Sequence, residues 1–312
     1  MKLQNLVFII VAAILFSACS SGKKKEQTIS LSGAFALYPM AVKWSEEYQK
    51  EHPEIKFNIS AGGAGKGVAD ALSGAVDLGM LSRAVEKQEI NNGLWFVAVT
   101  KDAVIPTINV GNPVLETLKK RGLTQDEFRK IYINGEITNW NQLPGITNDL
   151  AVNVYTRSDA CGAAATWAEY IGGKQEDLKG TGIFGDPGLA EAVVKDVNGV
   201  GFNNTIFLYD LKSGGKNPGI DVIPNDVNGN GTIDPEEAFY DQFTQVLAAI
   251  GEGKYPSPPA RDLYFVAKGK PQKQAVTDFL NWVITKGQAF VPEAGYVPLT
   301  EATLQEQVAK LK

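Results

Sequence analysis

The residues with the clearest chemistry lie in one stretch, RSDACGAAATWAEYIGG, at residues 157–173. Arg157, Asp159 and Cys161 stand just before a run of small residues that is typical of a helix start. Unpaired N–H groups and the positive end of the helix dipole favour an anion at such a start. The guanidinium of Arg157 can bind two oxygens of an oxyanion at once. The stretch therefore predicts an anion site.

Cys161 gives the same stretch a second possible chemistry. A thiol at a helix N-terminus beside an arginine is expected to have a lowered pKa and to be reactive. A cysteine nucleophile also needs a base, and the single histidine of the chain, His52, is expected to be exposed at a helix end. We therefore expect no enzyme activity, and we expect Cys161 to line the anion cleft.

A second motif, DVNGNGTIDPEE at residues 226–237, fits the pattern of a calcium-binding loop. Gly231 suits the sharp turn of such a loop, and Ile233 suits its core-facing position. The predicted ligands are Asp226, Asn228, Asn230, Thr232 through its carbonyl, Asp234 and Glu237. The segment PEEAFYDQFTQVLAAI is expected to form the exiting helix, and no helix is expected before the loop. A loop without a partner hand predicts a structural Ca²⁺ rather than a switch; the alternative is an Asn-Gly-rich turn capped by Asp234.

The elements around these motifs alternate between strand and helix patterns. TISLSGA, IKFNISA, VDLGMLS and the long apolar segment LWFVAVTKDAVIPTINV are predicted strands, and LYPMAVKWSEEYQKEHP has helical spacing. Such alternation predicts βαβ units and an α/β fold.

Small residues occupy three strand-to-helix junctions, SGAFALYP, SAGGAGKGV and RSDACGAAA. Ligands of α/β sheets bind at this end of the strands, and glycine lets them approach the backbone closely. Small residues also serve plain helix packing, but three such junctions in one chain favour a common anion site.

The first residues, MKLQNLVFIIVAAILFSACSSGKKKEQ, predict a secretory signal over residues 1–18. LFSAC resembles a lipobox, so Cys19 is expected to carry lipid and residues 19–27 to form a tether. This places the protein in the cell envelope, lipid-anchored and extracytoplasmic, in the periplasm or on the outer surface. The alternative is an ordinary signal peptide with a chance cysteine.

The composition limits the other possibilities. A net charge of −5 argues against a nucleic-acid binder, which would need a basic face. With Cys19 lipidated, the only other cysteine has no disulfide partner within the chain.

The chain resembles the phosphate-binding lipoproteins and periplasmic proteins that serve phosphate ABC importers. The resemblance covers about residues 29–299 and is carried by SGAFALYPMAVKW, GAGKGVADALSGAVDLGMLSR, LTQDEFRKIYINGEITNW, RSDACGAAATWAEYI, YPSPPARDLYFVAKG and FLNWVITKGQAFVPEAGYVPL. It implies a two-lobed, type II-like periplasmic binding protein fold, with mixed sheets flanked by helices and a hinge of two crossing strands. Lobe 1 would comprise residues 28–105 and 262–312, and lobe 2 residues 106–261 with the calcium-loop insertion. The protein would be a monomer.

The resemblance also implies the ligand residues. Arg157, Asp159 and Gly162 match the family, and Ser82 falls where members carry Asp or Ser, followed by Arg83 as in some relatives. Where the family has hydroxyl side chains, this chain has other residues; in the first turn the replacement is Phe35 or Ala36. The implied set is Ala34, Phe35, Ala36, Ala64, Ser82, Arg83, Arg157, Asp159, Cys161, Gly162 and Ala163.

Four of these residues have structural alternatives. Arg157 could simply pair with Asp159, Asp159 could cap the helix, Ser82 could be a plain cap or turn residue, and Arg83 could be a solvated surface residue.

The resulting expectation is a solute-binding lipoprotein that captures an oxyanion, inorganic phosphate, for an ABC importer and its membrane permease. Each missing hydroxyl would remove a hydrogen bond to a charged ligand, worth about 1.5–3 kcal/mol. Two alternatives therefore stay open: a binding-fold protein that acts as a sensor or interaction module, or a site for another oxyanion or a small organic acid.

Overall fold

The computed structural model describes residues 26–312. The predicted signal segment 1–18, Cys19 and the tether up to residue 25 lie outside the described residues. Within residues 26–312, no helix combines the length and the apolar character needed to cross a membrane.

Nine strands form the sheets of the described part of the chain. They are β1 (Gln27–Gly33), β2 (Ile55–Ala61), β3 (Leu78–Leu81), β4 (Leu94–Asn109), β5 (Asn153–Arg157), β6 (Thr181–Ile183), β7 (Gly199–Asn204), β8 (Ile220–Val222) and β9 (Ala260–Lys268). Their order is β2-β1-β3-β9-β4-β7-β5-β6, with β8 paired to β4. Parallel pairs (β1 with β2 and β3, β5 with β6 and β7) and antiparallel pairs (β9 with β3 and β4, β4 with β7 and β8) make the sheet mixed.

The helices pack on the faces of these strands. They are α1 (Tyr38–Glu51), α2 (Ala64–Ser73), α3 (Lys87–Asn91), α4 (Leu115–Arg121), α5 (Gln125–Arg129), α6 (Gly162–Tyr170), α7 (Asp186–Lys195), α8 (Thr205–Leu208), α9 (Phe243–Gly251), α10 (Gln274–Ile284) and α11 (Glu301–Leu311). A π-helical turn covers Lys130–Asn134, and 3₁₀ turns cover Trp140–Gln142, Gln175–Asp177 and Lys286–Phe290. The predicted α/β architecture of mixed sheets flanked by helices is confirmed.

Strand β4 belongs to both halves of the molecule. Its first part, up to Ala103, pairs with β9, and from Val104 onward it pairs with β7 and β8. We call the half built on β1, β2, β3 and β9 lobe 1, and the half built on β5 to β8 lobe 2. Separate cores support them: Trp44, Phe265 and Phe279 in lobe 1, and Trp140, Trp167 and Phe202 in lobe 2.

Local sequence explains the helix that follows β1. Pro39 lies in the first turn of α1, where its missing N–H costs nothing. Met40, Trp44 and Tyr48 recur at helical spacing and are buried against the lobe 1 core. The helix ends at Glu51, and its C-cap, His52, stands directly before Pro53.

The segment after the predicted calcium loop differs from the expected helix. Helix α9 begins only at Phe243, and residues 238–240 have no regular secondary structure. Tyr240 is buried here, and its carbonyl accepts a hydrogen bond from the Tyr209 hydroxyl over 2.7 Å. Because tertiary contacts use this carbonyl and this ring, the segment enters the lobe 2 core before the helix can start.

Candidate functional site

The three small-residue junctions meet where the lobes face each other. The Gly65 N–H, at the start of α2 in lobe 1, donates to the Ala160 carbonyl of lobe 2 over 3.1 Å. A methyl group on Gly63 would lie 2.9 Å from Asp159 Oδ2 and from the Ala160 carbonyl oxygen. The turns after β2 and β5 are therefore in contact, and the lobes are closed on each other at this point.

Helix α6 begins equally close to lobe 1. A methyl group on Gly162 would overlap the carbonyl and hydroxyl oxygens of Ser82, at the end of β3. Ser82 is buried, 2% exposed, in this contact. A glycine is required at the start of α6 because no side chain fits between the lobes there.

The first turn, after β1, is held by two further contacts. The Ala34 N–H donates to the Met80 carbonyl over 2.9 Å, so this N–H is not free for a ligand. The Tyr296 hydroxyl donates to the Ala36 carbonyl over 2.7 Å. These contacts fix the backbone of the turn beside the cleft.

Several backbone donors at the three junctions have no acceptor. Within the described part of the chain, no hydrogen bond is made by the N–H groups of Phe35, Ala36, Ala64, Gly162 and Ala163. At helix starts, such groups are available to an anion. Backbone N–H groups therefore remain where the hydroxyl side chains have been replaced.

Arg157, at the end of β5, has a side chain that is 0% exposed. Its Nε and Nη2 donate to Asp159 Oδ1 and Oδ2 over 2.9 and 2.7 Å. Its Nη1 lies 2.6 Å from Asp186 Oδ2 but makes no hydrogen bond of acceptable geometry. Burial opposes the charge of Arg157, yet Asp186 and Asp159 leave its pKa raised. The guanidinium is thus a buried cation with donor capacity left.

Asp159 pairs with Arg157 and does not cap α6. The helix N-cap is Cys161, whose Sγ accepts the Ala164 N–H over 3.3 Å. Asp159 Oδ1 also accepts the Gly185 N–H over 3.2 Å, which joins the turn after β6 to the site. Of the two structural alternatives for these residues, the Arg157–Asp159 pair is present and the cap is not.

Asp186, the first residue of α7, belongs to the site although sequence reasoning missed it. It is 2% exposed, and burial raises its pKa while Arg157 counteracts this. The only signal was FGDPG, an acid followed by proline at a helix start, and that pattern is common in ordinary helices.

Asp186 also connects the site to the strands between the lobes. Asn204 Nδ2 donates to Asp186 Oδ1, and Asn204 Oδ1 accepts from Arg261 Nη2. Arg261, on β9, donates through Nε to Asp102 Oδ1 of β4 over 2.9 Å and through Nη1 to Thr166 Oγ1 over 3.2 Å. A continuous buried polar network therefore runs from Asp159 to Asp102.

Cys161 does not have the reactivity expected from its position. It is 5% exposed, and burial raises the pKa of its thiol to about 12, although Arg157 acts to lower it. The predicted lowered pKa is wrong because burial outweighs the nearby cation. His52 is half-buried on lobe 1, where its ring stacks on Tyr48, so it is not the exposed residue predicted.

Arg83 is not a free surface residue. Its Nη1 and Nη2 donate to the two carboxylate oxygens of Glu89 over 3.0 and 2.6 Å, and its side chain is 17% exposed. It lines a groove of about 640 Å³ between the lobes, opposite Cys161 and Gln175. Arg83 is adjacent to the candidate anion cleft, but the N–H groups of its guanidinium are used in hydrogen bonds to Glu89.

The polar side chains of the predicted calcium loop form hydrogen bonds within the loop. Asp226 accepts the N–H groups of Gly229 and Gly231, each over 2.8 Å, and Glu237 Oε1 accepts the Val227 N–H over 2.8 Å. Asn228 and Asn230 both donate to Asp234 Oδ2 over 2.8 Å. In residues 26–312, no three acidic, histidine or cysteine side chains come together as a ready metal cluster.

The donor set of the loop nevertheless suits a hard cation. Asp226 and Glu237, its first and last ligand positions, are buried at 2% and 7% exposed. The other predicted ligands supply carboxylate, amide and carbonyl oxygens, which are the oxygen types that Ca²⁺ takes in proteins.

Comparisons with known proteins identify the family and the fold. A family model described as a PBP superfamily domain matches residues 19–286. The phosphate-binding protein PstS of Methanocaldococcus jannaschii is 28% identical, with 94% of this chain and 90% of the relative covered. A putative phosphate ABC transporter substrate-binding protein from Clostridium perfringens, solved with bound phosphate, is 21% identical at a TM-score of 0.71, covering 88% of this chain and all of that one.

A third match is an ABC-type phosphate transport receptor from Vibrio cholerae. It is 20% identical at a TM-score of 0.63, covering 86% of this chain and 99% of the receptor. The predicted two-lobed binding-protein fold is confirmed by these matches.

Proposed function

The chain belongs to the PBP superfamily, and from that membership we propose that it captures inorganic phosphate for an ABC importer. Support comes from the relatives, which are named as phosphate-binding proteins and phosphate transporter components. The relatives alone do not identify the ligand of this chain, so the proposal depends on its own site.

The observation that carries the proposal is the buried guanidinium of Arg157 together with the unpaired N–H groups at the three junctions. Asp159 and Asp186 balance the charge of Arg157. Its Nη1 still makes no hydrogen bond, and together with the unpaired backbone N–H groups it favours a ligand that accepts hydrogen bonds, since an unsatisfied buried donor is costly inside a protein. The donors come from the backbone at Ala64, Gly162 and Ala163, so they do not depend on the replaced hydroxyls. Small tetrahedral oxyanions can accept from several such directions at once.

The carboxylates beside Arg157 favour phosphate over sulfate. Asp159 and Asp186 place two acceptors next to one cation. At neutral pH phosphate carries a hydroxyl that can donate to a carboxylate oxygen, whereas sulfate carries none. An ion that only accepts hydrogen bonds could form no hydrogen bond with either carboxylate.

We propose binding without turnover. The Cys161 thiol stays protonated at neutral pH because its pKa is raised to about 12. His52 lies on lobe 1 and stacks on Tyr48, so it is not placed to activate the thiol of lobe 2. The site offers donors and charge but no activated nucleophile.

The cellular setting is part of the proposal. Cys19 would be the lipidated residue that holds the protein to a membrane on the extracytoplasmic side. The protein would act as a monomer, and its closed form would be recognised by the membrane permease of the importer.

We also propose that the 226–237 loop binds one structural Ca²⁺. Asp226, Asn228, Asn230, Asp234 and Glu237 would hold it through side-chain oxygens, and Thr232 through its carbonyl. The ion would stabilise the insertion in lobe 2. Support comes from the buried carboxylates at both ends of the loop and from its oxygen-only donor set.

Calorimetry on ligand-free protein tests the phosphate proposal. The protein is unfolded, washed and refolded with calcium, then titrated with phosphate in the presence and absence of sulfate. We expect a Kd below about 1 μM, unaffected by sulfate. Arg157→Lys should weaken binding about 10- to 100-fold, because an ammonium cannot serve two carboxylates and a ligand together.

Arg121→Lys is the matched control, since Arg121 also pairs with a carboxylate in lobe 2, Glu127, over 2.7 Å. Absence of phosphate binding in the wild-type protein would contradict the proposal. It would direct attention to another oxyanion, a small organic acid, or a role as a sensor or interaction module.

A further inference from the structure

An aromatic pair bridges the two lobes beside the candidate anion site. Phe35 lies in the first turn of lobe 1, and Phe184 follows β6 in lobe 2. Their ring centroids are 6.0 Å apart at 85°, an edge-to-face arrangement. Phe184 is 64% exposed, so the pair lies at the solvent edge of the contact between the lobes. The contact exists only while the lobes are closed, because each lobe supplies one ring.

The Phe35 ring also covers the buried cation. Its centroid lies 5.7 Å from Arg157 Cζ, and a methyl group on Gly185 would lie 3.4 Å from Phe35 Cζ. Gly185 in turn donates its N–H to Asp159 Oδ1. The ring is therefore seated on the residues of the candidate anion site, in contact distance of Gly185.

This arrangement limits what can bind beside Arg157. A free oxyanion has no substituent beyond its own oxygens. An ester carries a carbon substituent that must leave the site at this solvent edge, where Phe35 and Phe184 meet. Accommodating it would displace the Phe35 ring from Arg157 and separate the two phenylalanines.

We propose that Phe35 and Phe184 form a latch that closes over the bound anion and restricts the ligand to free phosphate, excluding phosphate monoesters. The inference rests on the proposed function, since it specifies which phosphate compounds that site accepts. The side chain that replaces a hydroxyl in the first turn thus acquires a role in specificity.

The latch is tested by the ratio of the Kd for methyl phosphate to the Kd for phosphate. Refolded, ligand-free protein is titrated calorimetrically with phosphate and with methyl phosphate, the smallest ester. We expect the wild-type protein to prefer phosphate strongly. Phe35→Ala should reduce the preference by about tenfold or more, since one carbon group in a tight pocket is worth about 10–200-fold. Phe184→Ala should reduce it in the same direction.

Phe96→Ala is the control, because Phe96 is a half-buried ring on β4 of lobe 1 that packs on Tyr264 at 5.8 Å. It should leave the ratio unchanged. If Phe35→Ala fails to fold, as judged by its melting transition, Phe35→Leu replaces it.

If the Phe35 and Phe184 variants bind phosphate with the same ratio of Kd values as the wild type, the latch is overturned and the proposed function stands. A wild-type protein that binds methyl phosphate as tightly as phosphate would also overturn it. A wild-type protein that binds neither compound would overturn the proposed function and the latch together.

Discussion

Asp102 and Arg261 are cross-strand partners on β4 and β9, and Arg261 Nε donates to Asp102 Oδ1 over 2.9 Å. These two strands pair where the chain passes between the lobes. Arg261 donates a hydrogen bond to Asn204, and Asn204 donates one to Asp186. Asp186 in turn forms an ion pair with Arg157. The candidate anion site is therefore connected to the strands between the lobes by side-chain hydrogen bonds and ion pairs, in addition to the backbone.

The network predicts coupling between Arg261 and Asp186. Arg261→Gln and Asp186→Asn should each weaken phosphate binding, but the double variant should lose less than the sum. Residues of one network show interaction energies of about 0.5–3 kcal/mol in such cycles. Calorimetric dissociation constants of the four proteins give the coupling.

Arg121→Gln serves as the control for this cycle. It removes a cation from another carboxylate pair of lobe 2, and its effect with Asp186→Asn should be additive. Additive effects of Arg261→Gln and Asp186→Asn would mean that Arg261 does not act through Asp186.

The raised pKa of Cys161 predicts an alkaline loss of stability. Burial raises the pKa of the folded thiol to about 12, whereas the ordinary pKa of a cysteine thiol is about 9.0. Between these values the folded state binds more protons, so stability falls as pH rises above 9. At pH 10.5 the free energy of unfolding is about 2 kcal/mol lower, because each pH unit above 9 costs about 1.36 kcal/mol.

Urea unfolding of wild type and Cys161→Ala at pH 8 and pH 10.5 measures this effect. The stability difference between the two proteins should shift by that amount in favour of the variant at the higher pH. A constant difference would show that the buried thiol does not titrate as the structure predicts.

The contact of Gly162 with Ser82 predicts that a methyl group would hinder closure. Gly162→Ala should weaken phosphate binding by about 1–3 kcal/mol, the usual cost of overpacking. Its melting temperature without ligand should change little, because the lobes can open slightly to relieve the overlap.

Gly215→Ala is the matched glycine variant, since its added methyl meets only Ser213 Oγ, at 3.7 Å. It should bind phosphate like the wild type. Unaltered binding by Gly162→Ala would argue that the ligand is held without this close approach.

The loop at residues 226–237 predicts calcium-dependent stability. Ca²⁺ at 100 times its Kd should add about 2.7 kcal/mol to the free energy of unfolding. Scanning calorimetry with Ca²⁺ and with a chelator should show the higher melting temperature with Ca²⁺. Glu237→Gln should abolish the difference, whereas Glu252→Gln, at an exposed carboxylate that pairs with Lys254, should keep it. Equal melting temperatures of the wild type in both conditions would contradict the calcium site.

Local patterns predicted much of the fold and the three small-residue junctions of the candidate site. Strand ends rich in glycine and alanine, such as the one at Gly63, mark the carboxyl ends of β1, β2 and β5, and these ends meet between the lobes. The strand and helix periodicities likewise gave the α/β class. Such features depend on neighbouring residues, so the sequence expresses them directly.

Features that depend on distant partners were not predictable. The pKa of Cys161 is set by burial, which no local motif reveals. Asp186 and Arg157 are 29 positions apart in the numbering, and nothing in FGDPG indicates that they meet. Phe35 was identified as a replaced hydroxyl position, but its reach to Phe184 depends on how the lobes close.

A crystal structure of the refolded protein grown with phosphate tests the central claim most directly. Phosphate should lie in the cleft, within hydrogen-bond distance of Arg157 and of the N–H groups of Ala64 and Gly162. Asp159 or Asp186 should accept a hydrogen bond from the phosphate hydroxyl. Phosphate bound elsewhere, or a cleft without phosphate at saturating concentration, would contradict the account.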